Sequence, residues 1–173
     1  MQTETHPHKA FVPRPLKAII VGSFPGRSST IALAPEQQWF YSAKRNQLWS
    51  ILEIVFGMPL PDKATKKAIL RQHHIGLVDI LLTIRRKKPS NADQDLEIVA
   101  YNDTALAAIL DQHPKVLVCF TSRFVEKQFK TLFPDHADSV LLPSPSPRYA
   151  RLSINEKAAV YKQILLDSKT PSQ

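Results

Sequence analysis

The chain has 173 residues, 43% of them hydrophobic, enough for one compact domain with its own core. No apolar run is long enough to span a bilayer, and the single cysteine, Cys119, excludes an intramolecular disulfide. A formal net charge of +8 creates a field attractive to polyanions, so nucleic acid is the first partner to weigh against lysine-based solubility alone.

In chain order, residues 1–15 are polar and proline-containing and lack the apolar core of a secretory signal; a flexible tail and a cytoplasmic protein are expected. Leu16 to Val21 reads as a buried strand. The turn Gly22-Ser-Phe-Pro-Gly-Arg-Ser-Ser29 follows at its carboxyl end, where open α/β sheets hold ligands. That turn has neither the Gly-Lys-Ser/Thr ending of a phosphate loop nor the three spaced glycines of a dinucleotide fingerprint. Helices are predicted near 46–56 and 62–73, the second with Asp62 as N-cap, and a strand near 76–82. Thr83 to Leu96 reads as a loop with four successive cations, Arg85-Arg-Lys-Lys88, and with Asp93 and Asp95 as caps for the next helix, near 101–112. A strand near 115–120 uses Cys119 as filler, and a helix near 122–132 and a strand near 138–142 follow. After the stiff Pro143 to Pro147, a final helix near 153–167 opens on a Ser153/Glu156 capping box. Strands alternating with helices imply a parallel sheet. One domain, 16–168, is expected, with a C-terminal tail at 169–173.

Three segments carry a resemblance. Gly22, Ser23, Pro25 and Gly26, then Phe40-Tyr41, then Asn46 and Trp49, followed by Gly76-Leu-Val-Asp-Ile80 and Leu142-Pro-Ser-Pro-Ser-Pro147, stand in the order of the uracil-DNA glycosylase superfamily. The chain most resembles its hypoxanthine-DNA glycosylase branch. The resemblance implies a three-layer αβα domain with a four-stranded, mainly parallel central sheet. It also implies a monofunctional DNA base-excision enzyme that flips a deaminated base (hypoxanthine, uracil or xanthine) and hydrolyses its N-glycosidic bond. Two alternatives stay open, a catalytically silent nucleic-acid-binding relative and a small-molecule nucleotide hydrolase. No cofactor or metal is expected: a lone cysteine cannot ligate the iron–sulfur cluster of some branches, and the six histidines show no ligand spacing. The expected partner is DNA, with no membrane association and a monomeric state.

The resemblance also assigns residues. Asn46 is the candidate catalytic amide, holding water at attack distance from the sugar; as a plain sequence element it is equally a helix cap. Ser23 stands where several branches have an asparagine or aspartate, so it is a candidate for catalysis or for binding. Gly22, Phe24, Tyr41 and Thr121 are candidate base contacts, with Tyr41 as the stacking face; Thr121 replaces a family asparagine, or else caps the next helix. Leu142 replaces a histidine that stabilises the departing base in many relatives. Lys44, Arg45, Arg85, Arg86, Lys87, Lys88, Ser144, Ser146, Arg148 and Tyr149 are candidate DNA contacts, and Asp79 is expected to make a structural hydrogen bond.

Overall fold

The structure is a computed structural model that describes residues 2–26, 33–90 and 92–167; the end of the first turn, from Arg27 onward, and the expected tail at 169–173 lie outside the described residues. In chain order the elements are β1 (Thr3–Thr5), β2 (Ala18–Gly22), α1 (Leu48–Phe56), α2 (Lys63–Gln72), β3 (Ile75–Asp79), β4 (Leu81–Arg86), β5 (Leu96–Tyr101), α3 (Asp103–Gln112), β6 (Leu117–Phe120), α4 (Arg123–Leu132), β7 (Ser139–Leu141) and α5 (Ile154–Leu165). Four strands form one sheet in the order β3-β2-β6-β7, every pair parallel. Burial on both faces explains why β2 and β3 read as unbroken apolar runs.

Side chains alternate across this sheet. Ala18, Ile20, Leu77 and Cys119 pack against α1, α2 and α5, whereas Ile19, Val21, Val78, Val118 and Phe120 pack against α3, α4 and a second sheet. The result is the expected αβα domain with a four-stranded parallel sheet. Cys119 is buried filler, its thiol pushed up to about 12 by burial. The caps follow side-chain chemistry: Asp62 Oδ1 accepts from Thr65 N–H at 2.7 Å, Ser122 Oγ from Val125 N–H at 3.2 Å, and Ser153 and Glu156 form the capping box.

Two expectations are corrected. The strand near 76–82 is two strands, because the chain leaves the parallel sheet at Asp79 and enters the antiparallel sheet β1-β4-β5 at Leu81. Arg85 and Arg86 are therefore strand residues opposite Glu97 and Leu96, and Asp93 and Asp95 lead into β5 rather than a helix. Nor is the N-terminal segment loose: β1 pairs antiparallel with β4, Phe11 bridges to Leu77, and His6 is enclosed. Its polar residues are held by partners remote in sequence, Glu4 by Arg86 and His6 by Asp79.

His8 illustrates how firmly this segment is packed. Its ring lies 5.8 Å from His6 and 5.5 Å from Phe40, centroid to centroid. Burial first, then the neighbouring His6 and Lys63, lower its pKa from 6.5 to about 4, with Asp79 opposing. The unfolded chain takes up this proton near 6.5 and the folded chain only near 4, so the unfolded state holds more protons in that window and stability falls as pH drops through it. Urea unfolding measured at intervals across the window should show this slope, and His8→Phe should flatten it. A variant with the parent's slope would assign the effect elsewhere.

Candidate active site

The carboxyl ends of β2, β3 and β6 open into a cleft of about 930 Å³. This is the edge at which parallel sheets expose backbone ends and converging loops. At its floor, Gly22 is required by close approach, since a Cβ there would collide with Asp79 Oδ1 and Tyr41 Oη. Asp79 is 5% exposed. Its Oδ2 lies 2.8 Å from His6 Nε2, whose side chain is 1% exposed. Asn102 Nδ2–H donates to the Asp79 main-chain oxygen at 3.0 Å, fixing the strand end.

Tyr41 sits beside this pair in a left-handed conformation, φ 57°. Trp49 Nε1–H donates to Phe40 O at 2.9 Å and Trp39 stacks on Trp49 at 5.6 Å, which anchors the residues preceding Tyr41. Tyr41 lines the cleft, while its hydroxyl is sealed within the floor, close to Asp79 and the Thr121 side chain but without a well-formed hydrogen bond. Burial, followed by the neighbouring Asp79, raises its pKa well above the usual phenol value.

Asn46 lines the cleft, and its Oδ1 accepts from Leu48 N–H at 2.9 Å. The N-cap of α1 is Gln47, without a side-chain cap bond, so Asn46 is not the cap itself; it stands one residue earlier, its oxygen meets the first helical N–H, and one lone pair is left for a water. Thr121 is buried, and its Oγ1–H donates to Val21 O at 3.1 Å. The cap of α4 is Ser122, not Thr121. Thr121 consequently offers a ligand only lone pairs. Ser23 lines the cleft near Asp93, and Phe24 lines it while packing edge-on against His6 at 5.4 Å.

The basic candidates separate. Lys44, Arg45 and Arg148 are exposed on the cleft rim, and Lys87 and Lys88 are exposed beyond β4. Arg85 pairs with Glu97 at 3.2 Å in an exposed position. Arg86 is not a free phosphate clamp: its side chain is 7% exposed and donates to Glu4 at 2.9 Å, Pro25 O at 2.8 Å and Ser90 O at 3.2 Å. It ties the Gly22–Gly26 turn to β1 and to the start of the β4–β5 connection. Ser144 and Ser146 line the cleft, and their hydroxyls accept from Ser146 N–H and Arg148 N–H, shaping the loop itself. Tyr149 lies outside the lining, its ring 5.4 Å from Lys157 Nζ.

Several contributors carry no local sequence signal. Lys157, only 1% exposed, donates to Gln47 Oε1 at 2.8 Å and to Ser146 O at 3.1 Å, and burial lowers its pKa. Gln47 N–H in turn donates to Pro145 O at 2.8 Å, so the α1 entrance and the Pro143–Pro147 loop form one wall. Asp93 lines the opposite wall; burial raises its pKa against the hydroxyls of Ser23 and Ser122, and Asp79 raises it further. Among the described residues, no three histidine, cysteine or carboxylate side chains are placed to hold a metal, and no helix is long and apolar enough to cross a membrane.

Residues 9–167 match the family model of the Uracil DNA glycosylase superfamily. The chain belongs to that superfamily. The fold is similar to the solution NMR structure of a Methanosarcina acetivorans protein provisionally assigned as a uracil DNA glycosylase, with a TM-score of 0.69 and 21% identity over 94% of this chain and 99% of that one. No curated protein matches the chain. In this superfamily member, Leu142 is 2% exposed and belongs to the core, so no imidazole stands there.

The floor is a tight fit, and that is testable. Gly22→Ala must displace the Asp79 carboxyl or the Tyr41 hydroxyl, and overpacking of this kind costs about 1–3 kcal/mol. Denaturant unfolding should register that loss, and tyrosine fluorescence should report a repositioned ring. Parent-like stability would show that the floor yields without strain.

Proposed function

We propose that the protein is a monofunctional DNA glycosylase that draws a deaminated base into the cleft and hydrolyses its N-glycosidic bond. Tyr41 carries this reading, because a tyrosine lining the cleft with its hydroxyl sealed below is a stacking platform held by its far edge. Lys44, Arg45 and Arg148 surround the opening, where phosphates of a flipped nucleotide would lie. Among the described residues of the lining the only amine is Lys44, on the exposed rim, which favours water over an amine as nucleophile.

Base choice follows from Thr121. With its hydrogen committed to Val21 O, the hydroxyl can only accept, and so it suits a ring N–H. Deamination converts the acceptor ring nitrogen of adenine or cytosine into such an N–H, in hypoxanthine and uracil respectively. An accepting hydroxyl therefore favours hypoxanthine over adenine and uracil over cytosine; xanthine joins the substrate class, and hypoxanthine leads it, by resemblance to that branch. Ser23 acts in binding, at the sugar or through its neighbour Asp93.

The deciding experiment is single-turnover base release from duplexes carrying uracil, hypoxanthine or xanthine, beside undamaged duplex and free nucleosides. Release from the deaminated duplexes alone is expected. Binding without release would identify a catalytically silent relative, and activity on nucleosides a small-molecule hydrolase. Asn46→Ala should lower release by roughly two orders of magnitude and cost about 0.5–1.5 kcal/mol of stability through the lost bond to Leu48 N–H. Asn46→Asp should keep that bond and still slow release; normal release in both variants would leave Asn46 a structural residue only.

DNA affinity should weaken steeply with salt. Neutralising both Lys87 and Lys88 should make the slope of log affinity against log salt shallower by up to about 2. Arg86→Gln should instead lower stability, because its partners are Glu4 and two main-chain oxygens. An unchanged slope after removal of both lysines would exclude this segment from the DNA contact.

A further inference from the structure

We propose that Asp93 is the carboxylate that takes the proton from the attacking water. The inference rests on the glycosylase reading and names the proton acceptor which that reading lacks. An amide orients water but cannot act as a strong base, and the Asn46 oxygen already serves α1. Ser23 and Thr121 are hydroxyls. Among the described residues two carboxyl groups line the cleft, Asp79 and Asp93. Asp79 is closed off, with Oδ2 on His6 and Oδ1 packed against Gly22.

Asp93 is only partly buried and faces the cleft from the β4–β5 connection. Its Oδ2 accepts from Ser122 Oγ at 3.3 Å, and Ser122 is also the N-cap of α4, so the carboxyl sits at the positive end of a ten-residue helix. Ser23 is a second hydrogen-bonding neighbour. These donors aim and stabilise the charged form, while burial and Asp79 strengthen its hold on a proton, a combination suited to a base working nearer neutrality than an exposed aspartate. Among the described residues, the titratable groups that act on it are Asp79 from β3 and Tyr41 from the aromatic turn, and Arg86 from β4 lines the same cleft. Ser23 is the point of contact between Asp93 and the first motif turn.

In the reaction, the water oxygen bonds to the anomeric carbon as the carbon–nitrogen bond breaks. The bond pair leaves with the base, and the water proton passes to Asp93. Asp93 then releases that proton to the departed base or to solvent, which restores the starting state. No oxidant, reductant or second substrate is required.

The test combines single-turnover release by the parent, Asp93→Asn and Asp93→Glu across about pH 4.5 to 8 with binding to a duplex bearing a cationic pyrrolidine abasic analogue. Asp93→Asn should reduce release at least about 100-fold with unchanged affinity for undamaged duplex. The parent rate should rise with pH through an acid limb above the ordinary carboxylate range, absent in Asp93→Asn and present in a partly active Asp93→Glu. The parent should bind the pyrrolidine duplex at least about tenfold more tightly than Asp93→Asn, because the analogue places positive charge where the sugar develops it. An active parent together with an Asp93→Asn variant of equal rate and equal acid limb overturns the proposal, as does equal pyrrolidine affinity. A parent that binds DNA and releases no base overturns the glycosylase reading itself, and the proton-acceptor role with it.

Discussion

Asp79 ends a parallel strand with its carboxyl group inside the protein, and a buried carboxyl is costly unless it finds hydrogen-bond donors. His6 meets that need from the other end of the sequence. To bring it there, residues 2–11 must lie across the carboxyl edge of the parallel sheet, where β1 adds to β4. Glu4 then meets Arg86, and Arg86 reaches Pro25 O and Ser90 O. The first motif turn thus owes its placement to a chain of contacts that starts at one enclosed carboxyl group. The same group leaves no room for a side chain at position 22.

Tyr41 shows the energetic side of this arrangement. A non-glycine residue in the left-handed region is disfavoured by roughly 1–2 kcal/mol, and an enclosed phenol hydroxyl without a well-formed hydrogen bond adds a further cost. Stacked Trp39 and Trp49, with the indole bond to Phe40 O, hold the backbone against that tendency. Strain concentrated in one residue that lines a cleft is a recurrent mark of functional sites.

The parallel sheet and its helices were legible because β2, β3 and β6 are apolar runs and three of the helices open on a capping side chain, at Asp62, Ser122 and Ser153. The second sheet was not. β4 ends on Thr83-Ile-Arg-Arg86 with only Ile84 buried, and β5 buries fully only Leu96, so neither shows the unbroken apolar run of the parallel strands, and the row of cations looked like a loop. At the site, Tyr41, Asn46, Ser23 and Thr121 all line one cleft. His6, Asp93 and Lys157 escaped because their significance comes from partners 73, 29 and 110 positions away. In isolation each looks like a solvated polar residue. Arg86 misled for the same reason in reverse: a basic residue among basic residues is in fact consumed by internal acceptors.

The buried Lys157 has a mechanical meaning. By holding Gln47 and Ser146 together, it makes the α1 entrance and the Pro143–Pro147 loop one rigid jaw. Arg86 does the same for the opposing jaw, made of the first turn and the start of the β4–β5 connection. Each wall of the cleft is thus cross-braced internally by a buried cation, so a side chain or ligand that presses on one wall meets main-chain oxygens already held by that cation.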